Sequence, residues 1–219
     1  MSGGAGGLRD RRLYLCTPAR PDLEQFVAAC IAGGVDVVQL RDKVLDARPL
    51  VEAARRVARV CADNGVPFVL NDRPDLALEV GADGVHVGQD DAPPALARRI
   101  LGPDAIVGLS THAVAEFEAG RDEPIDYLSA GPVVPTPTKE GRPGTGLGLI
   151  EQASRSEPPP DGIPWFVTGG VTPDAVPDLA AAGARRLVVV RYLTEATDPG
   201  RAAAELRRAI DAAWERDGG

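Results

Sequence analysis

Eight short runs rich in β-branched residues recur along the chain, each separated from the next by a stretch with helical periodicity. This alternation limits the fold more than any other feature. The predicted strands cover residues 13–17, 36–40, 67–71, 84–87, 105–109, 126–130, 163–168 and 186–190. The clearest helix between them carries Leu50, Ala54, Val57 and Cys61 on one stripe, with Glu52, Arg55, Arg56 and Arg59 mostly turned elsewhere. The last carries Leu206, Ile210 and Trp214 in the same way. Gly33-Gly34, Gly81, Gly102 and Gly183 each close a helical stretch shortly before the next strand, as C-terminal caps do. Eight such units in 219 residues, with no second compositional zone, predict an α/β chain folded as a single (β/α)₈ barrel over residues 13–216. An open doubly wound sheet is the alternative, because alternation alone does not prove closure.

Residues 1–12 are glycine-rich and then basic, and are expected to form a disordered tail without the apolar segment of a secretory signal. No apolar run approaches the roughly 20 residues that span a bilayer. A net charge of −8 argues against nonspecific binding to nucleic acid or to an anionic membrane, so an anionic ligand needs a local site. Cys16, Cys30 and Cys61 cannot all pair with one another and sit among apolar neighbours, which fits buried thiols in a reducing cytoplasm. Self-association is left open.

In a barrel of this kind chemistry gathers where the strands end. The second predicted strand runs into Gln39-Leu40-Arg41-Asp42-Lys43, and alternation turns Gln39, Arg41 and Lys43 to one side. The third ends at Asn71-Asp72-Arg73, the fourth leads through His86 to Gln89-Asp90-Asp91, and the fifth to Ser110-Thr111-His112. The sixth leads into a long loop, residues 131–146, with Thr136-Pro137-Thr138-Lys139; loops of that length on this face are usually lids or binding loops. The seventh gives Thr168-Gly169-Gly170 and the eighth Arg191. The chain uses arginine 22 times and lysine only twice, and both Lys43 and Lys139 fall on this face. Asp72 and Asp91 follow neighbouring strands, and hard oxygen donors from two elements suit Mg²⁺ whose shell a polyphosphate completes. Lysine, a compact point charge, suits the same phosphates.

The segment from Gln39 to Lys43, the stretch Asn71-Asp72-Arg73-Pro74-Asp75-Leu76-Ala77, the run from Gly81 to Asp91, and Gly131-Pro132 followed by Thr136-Pro137-Thr138-Lys139 together resemble thiamine phosphate synthases. The likeness is ordered along roughly residues 13–193. It implies two small-molecule substrates, 4-amino-2-methyl-5-hydroxymethylpyrimidine diphosphate and 4-methyl-5-(2-phosphoethyl)thiazole or its carboxylated form, joined with release of pyrophosphate. By position it implies that Gln39, Arg41, Lys43, Asn71, Ser110 and Lys139 hold the pyrimidine diphosphate, with Lys43, Lys139 and Ser110 the catalytic set, and that Asp72 and Asp91 hold Mg²⁺. Thr136, Thr138, Gly170, Val190 and Arg191 would take the thiazole phosphate. Position 191 is often serine in the family, and a guanidinium can bind phosphate in its place.

Simpler roles compete at several positions. Asp72 could start a helix as its N-cap, His86 could be a satisfied core histidine, His112 could sit at a helix start, and Arg41 and Arg73 could pair with Asp42 or Asp75. A thiazole tautomerase of the same fold, a sugar-phosphate isomerase and a non-catalytic phosphate-binding barrel are the competing functions. The first two have no need of the full set of Asp72, Asp91, Lys43 and Lys139.

Overall fold

The computed structural model describes residues 7–135, 144–158 and 161–215. Eight parallel strands pair in sequence order and close on themselves: β1 (Leu13–Thr17), β2 (Val37–Leu40), β3 (Phe68–Asn71), β4 (Gly84–Val87), β5 (Ile106–Thr111), β6 (Tyr127–Ala130), β7 (Trp165–Thr168) and β8 (Leu187–Val189). The helices are α1 (Leu23–Ala32), α2 (Ala47–Asn64), α3 (Pro74–Val80), α4 (Pro94–Leu101), α5 (Val114–Gly120), α6 (Gly148–Ser156), α7 (Val176–Ala181), α8 (Arg191–Thr194) and α9 (Pro199–Glu215). The closed order excludes the open sheet.

Period-two alternation sorts each strand into two layers. Leu13, Leu15, Val38, Leu40, Leu70, Val85, Leu128 and Val167 face outward and form one core with the helices, including the α2 stripe of Leu50, Ala54, Val57 and Cys61. Tyr14, Cys16, Val37, Val69, Ile106, Tyr127, Phe166 and Val188 point inward and fill the lower barrel. Tyr127 lies edge-on to Phe166 at 5.4 Å between ring centroids, and Tyr14 does so at 5.3 Å. The Tyr127 ring has room only because its neighbour on β5 is glycine. A Cβ on Gly108 would lie 2.1 Å from Tyr127 Cζ.

The floor of the barrel corrects the expected tail. Leu8 is fully buried within the inner cluster, and the buried Arg186 guanidinium donates to the carbonyls of Leu8 (3.3 Å) and Arg9 (2.7 Å). Asp36 accepts from the amides of Arg12 and Leu13 and from Arg207 on α9, tying β1 to the last helix. Residues 7–12 are therefore part of the folded body; residues 1–6 lie outside the described residues. A Leu in a basic, glycine-rich stretch carries no periodic signal, so its burial was not legible locally.

Cys30 and Cys61 are buried behind helices, and burial pushes both thiols up to about 12, which suits packing rather than reactivity. Among the described residues no helix is long and apolar enough to cross a membrane.

Candidate active site

The strand ends open into a cavity of about 290 Å³ above the aromatic floor. Gln39, Arg41, Asn71, Ser110, Gly170, Val190 and Arg191 line it, together with Tyr14, Cys16, His86, Tyr127, Ser129, Thr168, Tyr192 and Glu195. The expected residues of the described strands thus converge. Thr136, Thr138 and Lys139 lie outside the described residues. The inward polar residues Tyr14, Cys16, Tyr127 and Ser129 were missed. Their signal was the alternation itself, since each sits two positions from another inward residue.

Lys43, Asp72 and Asp91 come together beyond the ends of β2, β3 and β4; Lys43 and Asp72 are close in sequence to the lining residues Arg41 and Asn71, but none of the three is itself among the residues that line the cavity. Lys43 Nζ lies 2.9 Å from Asp72 Oδ2, and Asp91 is near enough to Asp72 for each carboxyl to shift the other's titration. Local backbone explains the placement. Asp72 has φ 63°, a left-handed conformation that aspartate tolerates better than most residues, and its amide donates to the His86 carbonyl at 2.8 Å. Asp91 folds back so that its Oδ2 accepts from the Gly88 amide at 2.8 Å. Partial burial pushes Asp72 above its ordinary value; Lys43 opposes this shift and Asp91 reinforces it. Against the upward push of its own burial, Asp91 is held below its ordinary value by Asp72 and the Gly88 amide. Those opposite directions mark two carboxylates that titrate as a pair.

The competing roles resolve residue by residue. Asp72 is not a helix cap: α3 starts behind Arg73 with Pro74 in its first turn. Arg73 pairs with Asp75 at 2.6 Å on the surface, both about half exposed. Asp42 instead accepts from the amides of Ala19, Val44 and Leu45, building the loop that carries Lys43, while Arg41 lines the cavity. His112 sits at the start of α5, its amide donating to Glu116 at 2.7 Å and its ring bonded to the Gly131 carbonyl. His86 is buried and bonded through both ring nitrogens, a satisfied core histidine that also lines the cavity. Replacing Arg73 by alanine is expected to change stability by less than about 1 kcal/mol and turnover less than about twofold, read by urea melts and steady-state rates.

At the far side Gly169 and Gly170 have φ 93° and 75°, and a Cβ on Gly170 would lie 2.4 Å from Val134 Cγ2. Only glycine fits there, which leaves this turn's backbone bare beside Arg191 at the start of α8.

A closed barrel whose strand ends bring two carboxylates and an ammonium to the same face as a cavity of mixed polar and apolar lining is an enzyme of the (β/α)₈ class working on small molecules. Its family follows from sequence: residues 13–193 match the model for thiamine monophosphate synthase, and the chain belongs to that family. The thiamine-phosphate synthase of Thermobifida fusca is 49% identical over 211 residues, covering 94% of this chain and 95% of that one. That of Mycolicibacterium smegmatis is 45% identical over 218 residues, with 94% and 95% covered. Among solved structures, a thiamine phosphate pyrophosphorylase from Pyrococcus furiosus superposes with a TM-score of 0.85 at 28% identity, covering 94% and 98% of the two chains.

Proposed function

We propose that the chain condenses the aminopyrimidine diphosphate with the thiazole phosphate to give thiamine phosphate and pyrophosphate. The observation that carries this reading is the meeting of Asp72, Asp91 and Lys43 at neighbouring strand ends, on the face where the cavity opens. Two neighbouring carboxylates call for a shared proton or a cation, and two hard oxygen donors are what Mg²⁺ takes when diphosphate and water complete its shell. The donor set therefore fits magnesium, with Asp72 and Asp91 as its protein ligands. Bound there, the ion would neutralise charge developing on the departing pyrophosphate.

The chain's own residues then divide the work. Gln39 and Ser110, both buried in the cavity wall, and Asn71 beside them hold the pyrimidine end. Arg41 and Lys43 face the diphosphate, joined by Lys139 by resemblance. The bond between the methylene carbon and the diphosphate oxygen breaks, its electron pair leaving with pyrophosphate. The thiazole nitrogen donates its lone pair to the same carbon. Gly170, Val190 and Arg191 hold the thiazole phosphate, with Thr136 and Thr138 by resemblance; the bare turn at Gly169 and Gly170 supplies backbone amides. No activated side-chain nucleophile is needed, so the requirement is charge stabilisation in a site that excludes water.

The test is to incubate the protein with both substrates and Mg²⁺ and follow thiamine phosphate and pyrophosphate together. Equal, EDTA-sensitive yields of the two are expected. Tight binding of both substrates without pyrophosphate release would instead identify a non-catalytic homologue.

A further inference from the structure

One hydrogen-bond chain crosses the barrel interior beneath the cavity, and the orientation of the Gln39 amide sets its direction. Cys16 Sγ donates to Gln39 Oε1 at 3.1 Å, which orients the amide so that Gln39 Nε2 donates to Tyr14 OH at 3.0 Å. A phenol has one proton. Having accepted from Gln39, Tyr14 gives its own to Tyr127 OH at 2.9 Å, and Tyr127 gives its own to His86 Nδ1 at 2.9 Å. The His86 proton is then on Nε2, which donates to Ser110 Oγ at 2.8 Å. Ser110, accepting there, keeps its hydroxyl proton for the cavity, as Gln39 keeps its second amide proton.

We infer that Cys16, Tyr14, Tyr127 and His86 are positioning residues: they lock Gln39 and Ser110 as hydrogen-bond donors toward a flat heterocycle with ring-nitrogen acceptors. Cys16 and Tyr127 hold the two ends of the direction. Without the Cys16 thiol the Gln39 amide is free to flip; without the Tyr127 hydroxyl the His86 tautomer is unset. In a wall this deeply buried the wrong orientation would leave a ring nitrogen facing a lone pair, an unpaired buried acceptor. The inference rests on the proposed function only for the identity of that heterocycle, the aminopyrimidine.

The test has one reading without substrate and one with it. The chain has two histidines, so imidazole ¹⁵N resonances of the whole protein at mildly alkaline pH are few enough to assign. His86 is expected with its proton on Nε2 in the wild type and as a mixture of tautomers in Tyr127→Phe. Calorimetry with the pyrimidine diphosphate should show its Kd rising on the order of tenfold in Tyr127→Phe and in Cys16→Ala, with the thiazole phosphate Kd unchanged. Cys16→Ser, which keeps a donor, should restore most of the loss. A wild-type His86 protonated on Nδ1 overturns the inference, as does an equal rise in both Kd values or a Cys16→Ala protein that binds like wild type. Wild-type protein with the Nε2 proton that fails to bind the pyrimidine diphosphate would sink the proposed substrate and leave the direction of the chain standing.

Discussion

Asp72→Asn should lower kcat/KM roughly a thousandfold, about 4 kcal/mol of transition-state stabilisation, while leaving the melting curve nearly unchanged. The substitution is chosen for its backbone. Asp72 occupies φ 63°, where asparagine is at home and alanine is strained, so Asn removes the charge without disturbing the turn after β3. It also uncouples Asp91 and leaves Lys43 without its carboxylate, but Lys43 is 51% exposed and water replaces that partner at little cost. The loss should therefore fall on chemistry and on magnesium dependence: activity of the variant should need far more Mg²⁺ to saturate. Steady-state rates across a magnesium series, beside thermal melts, check both halves. A variant with near-normal turnover would remove Asp72 from the metal site.

Gly108→Ala should cost about 3 kcal/mol of stability, lowering Tm by roughly 10 °C for a chain of this size. The added methyl would lie 2.1 Å from Tyr127 Cζ and 2.5 Å from its hydroxyl oxygen. Tyr127 has little room to retreat: it is fully buried, stacked on His86 at 5.4 Å between ring centroids and edge-on to Phe166. Any shift it makes is passed to the hydrogen bonds with Tyr14 and His86. Urea unfolding read by fluorescence gives the magnitude. A loss below about 1 kcal/mol would show that the floor of the barrel yields more easily than close packing implies.

Much of this was legible in the sequence, and the reasons differ from place to place. All eight strands were, because both faces of a parallel barrel strand are buried and leave compact β-branched runs. Their edges were less so. Val190 continues the apolar run yet turns out of the strand to open α8, and β5 runs on through Ser110, which faces the site, and Thr111, which is buried on the other face with its hydroxyl donating to the Ser129 carbonyl. Asp72, Asp91 and Lys43 were legible as residues after strands, and their contact follows from strand adjacency. Tyr14 and Tyr127 were not, since an aromatic residue inside an apolar run reads as core until its hydroxyl is given a partner from another strand. Leu8 was hidden for the same reason: what it seals is assembled from residues far away in the chain.

That sealed floor has a kinetic meaning. Among the described residues the cavity opens at the strand ends above a filled lower barrel, so molecules that share it would queue. Gln39 and Ser110 lie at the bottom, with 4% and 7% exposure, while Gly170 and Arg191 stand exposed at the rim. In the proposed reaction, a ring seated at the bottom would arrive before the one that covers it, and the joined product would back out rim end first. On the proposed function, order of arrival would follow from the depth of the two subsites.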